Sequence, residues 1–403
     1  MKGMSLGLKE ALHLTLQSIK PLPAEEVAVI DSVDRVAASD LYALVDSPSV
    51  DSSRKDGYAV VCHDVAHASP ENPARLRILG SLAAGEEKDV RVEPGTTVRV
   101  MTGARIPAGA DAVVAEEFVK LEGSDVLVEN FAESGRNVLQ RGSDAEYGKC
   151  VLRSGERISP VRAGLIAAAG YGMVPVFRNP VVGIIGTGDE IVEPGAPLED
   201  GKLYASNIVT LAGWCKKYQM KPRMAIVRDD HSAVLSVLKT LSGETDAMIT
   251  SGGAWTGDHD IVAQVLKELG WKEAFHRIRI GPGKAVGFGL LNKKPVFMLP
   301  GGPPSNLMSF LQIALPGLLA LSGHANQCLP VINARLATEL RVNESGWTDF
   351  FYGALVFDDE LPAFYPMKKR SRLSSIAEAT AVASIPEGQD HLSAGSIIRV
   401  QLL

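Results

Sequence analysis

The sequence predicts a multidomain α/β protein built around a doubly wound parallel sheet, with β-rich parts before and after it. Three observations carry this. From Pro180 onward, short apolar runs alternate with amphipathic helical stretches, the pattern of parallel strands joined by crossover helices. Residues 50 to 150 instead show short β-rich runs between turns. From about 326 the chain returns to β runs.

The elements follow in chain order. Ser5 to Ile19 reads as an amphipathic helix, with Leu8, Leu12, Leu16 and Ile19 on one face and Pro21 and Pro23 ending it. The β module has runs at Thr97–Met101, Ala112–Ala115 and Val126–Glu129, with turns at Glu93-Pro94-Gly95, Pro107-Ala108-Gly109 and Glu122-Gly123-Ser124. An Ala/Gly-rich helix, Pro160 to Ala169, precedes a Pro-bounded link. Buried strands are expected at Val181–Ile185, Met224–Val227, Ala247–Thr250 and Val296–Leu299. Helices are expected at Asn207–Tyr218, His231–Leu241, Asp260–Leu269 and Pro304–Leu319, and tail strands at Val331–Leu340, Phe350–Phe357 and Ser396–Gln401.

Composition narrows the function. A chain of 403 residues suits two to four domains. With 46% hydrophobic and 22% charged residues it is neither a disordered chain nor a coiled coil. Lys+Arg minus Asp+Glu is 41 − 47 = −6, a poor balance for binding nucleic acid or anionic lipid. No apolar run reaches about 18 residues, so no membrane span is expected. Met1 to Gly7 lacks a signal-peptide core, and four scattered cysteines without a CxxC fit reduced thiols in the cytoplasm.

In an open parallel sheet, ligands bind beyond the carboxyl ends of the strands. Here those ends read Gly186-Thr187-Gly188-Asp189-Glu190, Arg228-Asp229-Asp230, Ser251-Gly252-Gly253 with Gly257-Asp258-His259-Asp260, and Pro300-Gly301-Gly302-Pro303-Pro304-Ser305. Ser251-Gly252-Gly253 and Gly301 let backbone N–H groups approach an anion, and Ser305 adds a hydroxyl. Asp229, Asp230, Asp258, Asp260 and Glu190 on the same rim suit a hard divalent cation, Mg²⁺, bridging to a phosphate. Each piece has a plainer reading as a packed turn or an N-cap; Asp230, and Asp258 or Asp260, fit capping. Four such strand ends together favour a ligand site.

A second group lies in the β module, where Arg54, Lys55, Asp56 and Gly57 precede Tyr58-Ala59-Val60, Met101-Thr102-Gly103-Ala104 follows, and Arg136, Arg141 and Asp144 come after. A third, Arg277, Arg279 and Lys284, surrounds Gly281-Pro282-Gly283 and offers cations to an oxyanion.

In order and combination these blocks resemble the MoeA/gephyrin E-domain family, the molybdenum insertases, from about residue 5 to residue 401. The resemblance rests on Asp56-Gly57-Tyr58-Ala59-Val60, Met101-Thr102-Gly103-Ala104, Thr187-Gly188-Asp189-Glu190, Thr250-Ser251-Gly252-Gly253, Gly257-Asp258-His259-Asp260, Pro282-Gly283-Lys284, Leu299-Pro300-Gly301 and Arg372-Leu373-Ser374-Ser375. It implies insertion of molybdate into adenylylated molybdopterin with adenylate hydrolysis and AMP release, assisted by Mg²⁺. It implies a doubly wound domain like that of molybdopterin adenylyltransferases (180–325), a β subdomain (46–145), an elongated linking domain (1–45 and 146–179) and a C-terminal β-barrel (326–403). It implies a homodimer whose cleft is shared between chains, with other cofactor-biosynthesis proteins or molybdoenzymes as further partners. By motif position, the active-site residues are Asp56, Thr102, Asp144, Glu190, Asp229 and Asp260, the metal ligands Asp229 and Asp260. Lys284, Ser305 and Ser375 lie where the family contacts the oxyanion or the pterin, with Ser374 competing with Ser375 for its assignment; Arg277, Ser251, Gly252, Gly253 and Gly301 join them as substrate-binding candidates from the residue reading above.

The sequence departs from the pattern at Lys55, Trp255, Gly281, Ala285, Gly302 and Trp347. Gly281 and Trp347 stand where cations are expected, which weakens an oxyanion pocket unless Lys55, Arg277 or Arg279 compensates. That leaves a non-catalytic pterin-binding or scaffold paralogue as the alternative.

Overall fold

A computed structural model describes residues 6–252, 261–357, 360–367 and 373–403. Its central sheet has six strands in the order Lys221–Val227, Val181–Thr187, Ala247–Ser251, Lys294–Leu299, Gly287–Leu291, Lys272–His276. The first four are parallel, as the alternation predicts. Helix Ser206–Lys217 packs on one face, through Ile208, Leu211, Ala212 and Cys215. Helices His231–Glu244 and Ile261–Glu268 cover the other, so the sheet is doubly wound.

The last two strands are joined on by antiparallel pairings and were not anticipated. Asn292 and Lys293 join Gly287–Leu291 to Lys294–Leu299 with φ of 52° and 67°. Two successive left-handed residues make the tight hairpin turn that matches strand twist. No glycine marks it, so the turn reads poorly from sequence.

Pro303–Leu321 forms one helical run of 19 residues. By length and composition it could cross a bilayer, but 89% of that stretch is buried in the fold, so its apolarity serves the core. Its middle, Phe310–Ala314, is π-helical, just before Pro316. Proline offers no N–H and its ring displaces the carbonyl of the preceding turn, and the wider π turn absorbs that misfit. Gly317 lets the N-terminal helix Leu8–Ser18 close on this run: a Cβ there would lie 2.6 Å from Phe297 Cζ and 3.1 Å from Thr15 Cγ2.

Three other cores surround this unit. Ala37, Leu41 and Ala43 pack with Val151, Ile158, Ile166 and Val176, joining two distant stretches of chain. Strand Ala24–Ala28 pairs with Met173–Phe177 beside them. The β module is a six-stranded sheet in the order Ala112–Ala115, Gly57–Val60, Thr96–Val100, Ala74–Leu82, Asp125–Val128, Val119–Glu122. The C-terminal strands Thr348–Val356, Ala363–Pro366, Val331–Leu336, Ile397–Leu402 and Ala381–Ile385 pair in that order, and the last pairs back with the first, closing a five-stranded barrel.

Polar links fix these parts to one another. Arg178 donates two hydrogen bonds to Asp246, at 2.9 and 2.7 Å, and the Val181 N–H donates to the same carboxylate at 2.8 Å. The barrel's Tyr352 hydroxyl, buried and pushed well above the usual tyrosine range by burial, donates to the Pro304 carbonyl at 2.9 Å.

Two glycines should respond oppositely to a methyl group. At Gly57 a Cβ would lie 2.1 Å from the Val114 carbonyl oxygen, so Gly57→Ala should destabilise by at least about 1–3 kcal/mol, the cost of overpacking. Gly213, exposed within helix Ser206–Lys217, has nothing within 4 Å of that position, so Gly213→Ala should stabilise by about 0.5–1 kcal/mol. Urea unfolding midpoints of the two variants test both signs.

Candidate functional site

The chain winds from Val181–Thr187 outward to Lys221–Val227, then back across to Ala247–Ser251. That reversal opens a crevice at the carboxyl ends of the first and third strands. A cavity of about 330 Å³ lies there, lined by residues between Gly186 and Pro303 that include Thr187, Glu190, Asn207, Ser251, Gly252 and Gly301.

Its floor needs glycine. Gly252 has φ +103°, and a Cβ on it would lie 2.5 Å from the Thr187 carbonyl oxygen and 2.9 Å from Thr187 Oγ1. Two parallel strand ends can therefore close on each other only with a bare backbone at 252. Thr187 Oγ1 is buried there with no hydrogen-bond partner. Ser251 Oγ accepts from Asn306 Nδ2 at 3.0 Å and Asn207 Nδ2 at 3.3 Å. The same two amides donate to the carbonyls of Pro300, at 2.9 Å, and Gly301, at 2.7 Å.

Of the residues the sequence proposes, the structure brings Glu190, Ser251, Gly252 and Gly301 to this cavity. Asp229 stands on the neighbouring strand end, where its N–H donates to Asp189 Oδ1 at 3.3 Å. Partial burial and the charges of Asp189 and Glu190 push its carboxyl above the usual range. The capping role falls to Asp230, whose Oδ1 accepts from the Ala233 N–H at 2.8 Å. Among the described residues no group of three or more His, Cys, Asp or Glu forms a preassembled metal shell. Gly253, Trp255, Asp258, Asp260 and Arg372 lie outside the described residues.

Other predicted residues sit apart. Ser305 is half-buried in helix Pro303–Ser309. Ser375 is half-buried in the short helix Leu373–Ala377, whose Leu373 and Ile376 line an apolar pocket of about 250 Å³ adjoining the cleft through Asn207 and Pro303. Lys284 lines a second cleft, of about 650 Å³, with Gly281, Arg341, Trp347 and Asp349. Arg277 is half-buried at φ 71°. Arg279 is not available as a replacement cation: it is held by Glu387 at 3.1 and 3.2 Å. At Gly281 a Cβ would lie 2.3 Å from Asp349 Oδ1, so a carboxylate occupies the space the expected cation would take.

In the β module, Asp56 Oδ1 accepts from the Thr102 N–H at 2.6 Å and from Thr102 Oγ1 at 2.8 Å. The antiparallel pairing of Gly57 with Val100 sets these two loop residues side by side. Asp144 is exposed, its N–H donating to the Ser47 carbonyl at 2.9 Å. Sequence reasoning missed Asn207 and Asn306. Their signal was faint: Asn306 is a polar residue at the start of an apolar helical run, 1% exposed.

A hydroxyl-floored crevice at a sheet's switch point, with carboxylates on its rim, defines a doubly wound domain with a cleft where such folds take small molecules. Comparison with known proteins makes this specific. Residues 6–170 match the MoeA N-terminal region (domain I and II), and residues 183–320 match the probable molybdopterin binding domain. The chain is 32% identical, over 99% of its length and all of its relative's, to a molybdopterin molybdenumtransferase of Synechococcus elongatus. It is 30% identical to one of Bacillus subtilis, over its full length and 95% of that protein's. Two crystal structures of the molybdopterin biosynthesis MoeA protein of Pyrococcus horikoshii superpose with TM-scores of 0.84 and 0.80, at 28% and 33% identity, each covering at least 98% of both chains. The chain belongs to the MoeA family of molybdopterin molybdenumtransferases, which act in molybdenum cofactor biosynthesis.

The Asp56–Thr102 pair makes a direct prediction. The Thr102 backbone N–H, then its hydroxyl, hold the Asp56 carboxyl below the usual aspartate range. Thr102→Val keeps the first donor and removes the second, so the Asp56 titration midpoint should move up toward that range without reaching it. Carboxyl-carbon NMR of wild type and variant measures the shift; an unmoved midpoint would show that the hydroxyl is not a donor in solution.

Proposed function

We propose that this protein inserts molybdate into adenylylated molybdopterin and hydrolyses the adenylate, releasing AMP. One observation carries the reading: the crevice holding Ser251, Gly252 and Gly301 has carboxylates on its rim, in a chain related end to end to molybdenumtransferases. Ser251, Thr187 and the backbone at Gly252 and Gly301 would hold phosphate oxygens. Asp229 and Asp260 would hold Mg²⁺, with Glu190 and Asp189 adding negative charge beside it. The donor set fits a hard cation, since Asp229 is pushed toward protonation by burial and by like charges that a divalent ion would neutralise. Bound there, Mg²⁺ would offset charge building on the phosphate during hydrolysis. Gly253 would extend the phosphate-binding turn. Ser305, Arg277, Lys284 and Ser375 would serve the molybdate and the pterin from the neighbouring clefts.

The described lining of the main cleft comes from residues 186 to 303, whereas Asp56, Thr102 and Asp144 belong to the β module. In this reading a homodimer joins them, the module of one protomer completing the crevice of its partner. Four free thiols suit a reducing cytoplasm, and molybdoenzymes or other cofactor-biosynthesis proteins would take the product.

A second reading has its own support. The cleft around Lys284 has Gly281 and Trp347 where cations are expected, with Asp349 beside Gly281. The protein would then hold the pterin, or scaffold another enzyme, without inserting the metal.

One assay separates the two. Purified protein with adenylylated molybdopterin, molybdate and Mg²⁺ should release AMP and yield active cofactor; neither product would favour the binder. Asp229→Ala and Asp260→Ala should each abolish Mg²⁺-dependent AMP release. Because Asp230, not Asp229, caps the following helix, Asp229→Ala should change stability by less than the roughly 1 kcal/mol of a lost cap. Sedimentation equilibrium at micromolar concentration should give twice the chain mass; a strict monomer would remove the shared cleft.

A further inference from the structure

We propose that Ser251 is a one-way hydrogen-bond donor to an oxyanion in the cleft, and that Asn207 and Asn306 are positioning residues that enforce its direction. The inference rests on the reading of the cleft as an anion site and adds to it the direction of the Ser251 contact and the two residues that set it.

The argument begins with two carbonyls. A carbonyl oxygen only accepts, so the groups facing Pro300 and Gly301 must be N–H donors. The Asn306 amide reaches the Pro300 carbonyl at 2.9 Å and the Asn207 amide reaches the Gly301 carbonyl at 2.7 Å. Each amide is therefore turned with its NH₂ inward, which settles the choice between nitrogen and oxygen on chemical grounds. The same two NH₂ groups point their second hydrogens at Ser251 Oγ, at 3.0 and 3.3 Å. A serine hydroxyl has two lone pairs and one hydrogen. With both lone pairs engaged, only the hydrogen is left to offer.

The surroundings make that direction consequential. Ser251 is 5% exposed and Asn306 1%, so neither can exchange its partners freely with water. Ser251 lines the cleft beside Thr187, whose Oγ1 is buried without a partner. The hydroxyl hydrogen can go to an acceptor bound in the cleft, such as an oxygen of a phosphate or of molybdate. It cannot serve a ligand N–H. The site thus selects for acceptors, and its direction is set by one buried asparagine, Asn306, and one half-buried one, Asn207.

Isothermal titration with AMP, with molybdate and with adenylylated molybdopterin tests this and identifies which oxyanion the hydroxyl meets. Ser251→Ala should weaken binding about tenfold, the scale of one hydrogen bond to a charged group, either for the two phosphate-bearing probes with molybdate unchanged, or for molybdate with AMP unchanged. Asn207→Asp gives the hydroxyl an acceptor inside the protein and turns its hydrogen away from the cleft. It should weaken the same probe or probes at least tenfold in the wild-type background and by less than threefold in the Ser251→Ala background. Asn207 is half-buried, so this variant should fold where a change at Asn306 could not be relied on to; circular dichroism confirms it. An equal loss in both backgrounds would mean that the new charge acts directly, and the inference falls. It falls too if Ser251→Ala changes no affinity, or if the wild type binds none of the three probes. A wild type that binds and discriminates as described but releases no AMP would sink the insertase reading and leave this one standing.

Discussion

The cleft exists because nothing larger than hydrogen is attached at residue 252. Strands Val181–Thr187 and Ala247–Ser251 run parallel with Gly186 opposite Ser251, and the next step of each chain converges rather than splays. A methyl group on Gly252 would press into Thr187 at 2.5 Å, and the strand ends would have to separate. Separation would carry Ser251 away from Asn207 and Asn306 and open the buried Thr187 hydroxyl to water. The position of every polar atom on the floor follows from that single close approach.

What surrounds the floor is rigid for a different reason. Helix Pro303–Ser309 supplies Asn306, and it is held from the far side by the C-terminal barrel. Tyr352 bonds Pro304, and Gln312, in the π-helical segment that follows, bonds Gln401 at 2.7 Å, so the barrel is fastened to the Pro303–Leu321 run at two points. Deeper in, Leu311, Ile313, Leu318 and Leu319 are almost wholly buried. A site built on such an element keeps its geometry without help from ligand. The carboxylate rim is looser by comparison, since Asp189, Glu190 and Asp229 are all exposed.

Much of this was legible in the sequence, and the parts that were not share a cause. Strands Val181–Thr187 and Ala247–Ser251 announced themselves because strands buried on both faces are continuous apolar runs. The glycine turns marked the strand ends. The antiparallel hairpin at Asn292-Lys293 was hidden because its turn uses two non-glycine residues in a left-handed conformation. The π segment was foreshadowed only by Pro316, and barrel closure depends on pairings between strands far apart in sequence. At the site, single-residue chemistry could be read but partnership could not. Arg279 looked like a spare cation until Glu387 appeared beside it, from 108 residues away. Asp230, just before His231, could be read as a cap, and the structure makes it one. Asn207 and Asn306 carry no motif, and only their shared contact with Ser251 reveals them.

The outermost strand, Lys221–Val227, has a further consequence for the molecule's life in a crowded solution. Among the described residues it ends the sheet, and one flank of its backbone has no neighbouring strand. A flat, apolar flank of that kind is a template on which another chain's strand can add, and repetition of that step builds fibrils. This one begins Lys221-Pro222-Arg223. Proline withholds an N–H from any incoming strand, and two neighbouring cations repel a second copy aligned on the first. The sheet can be open at its side without being sticky there.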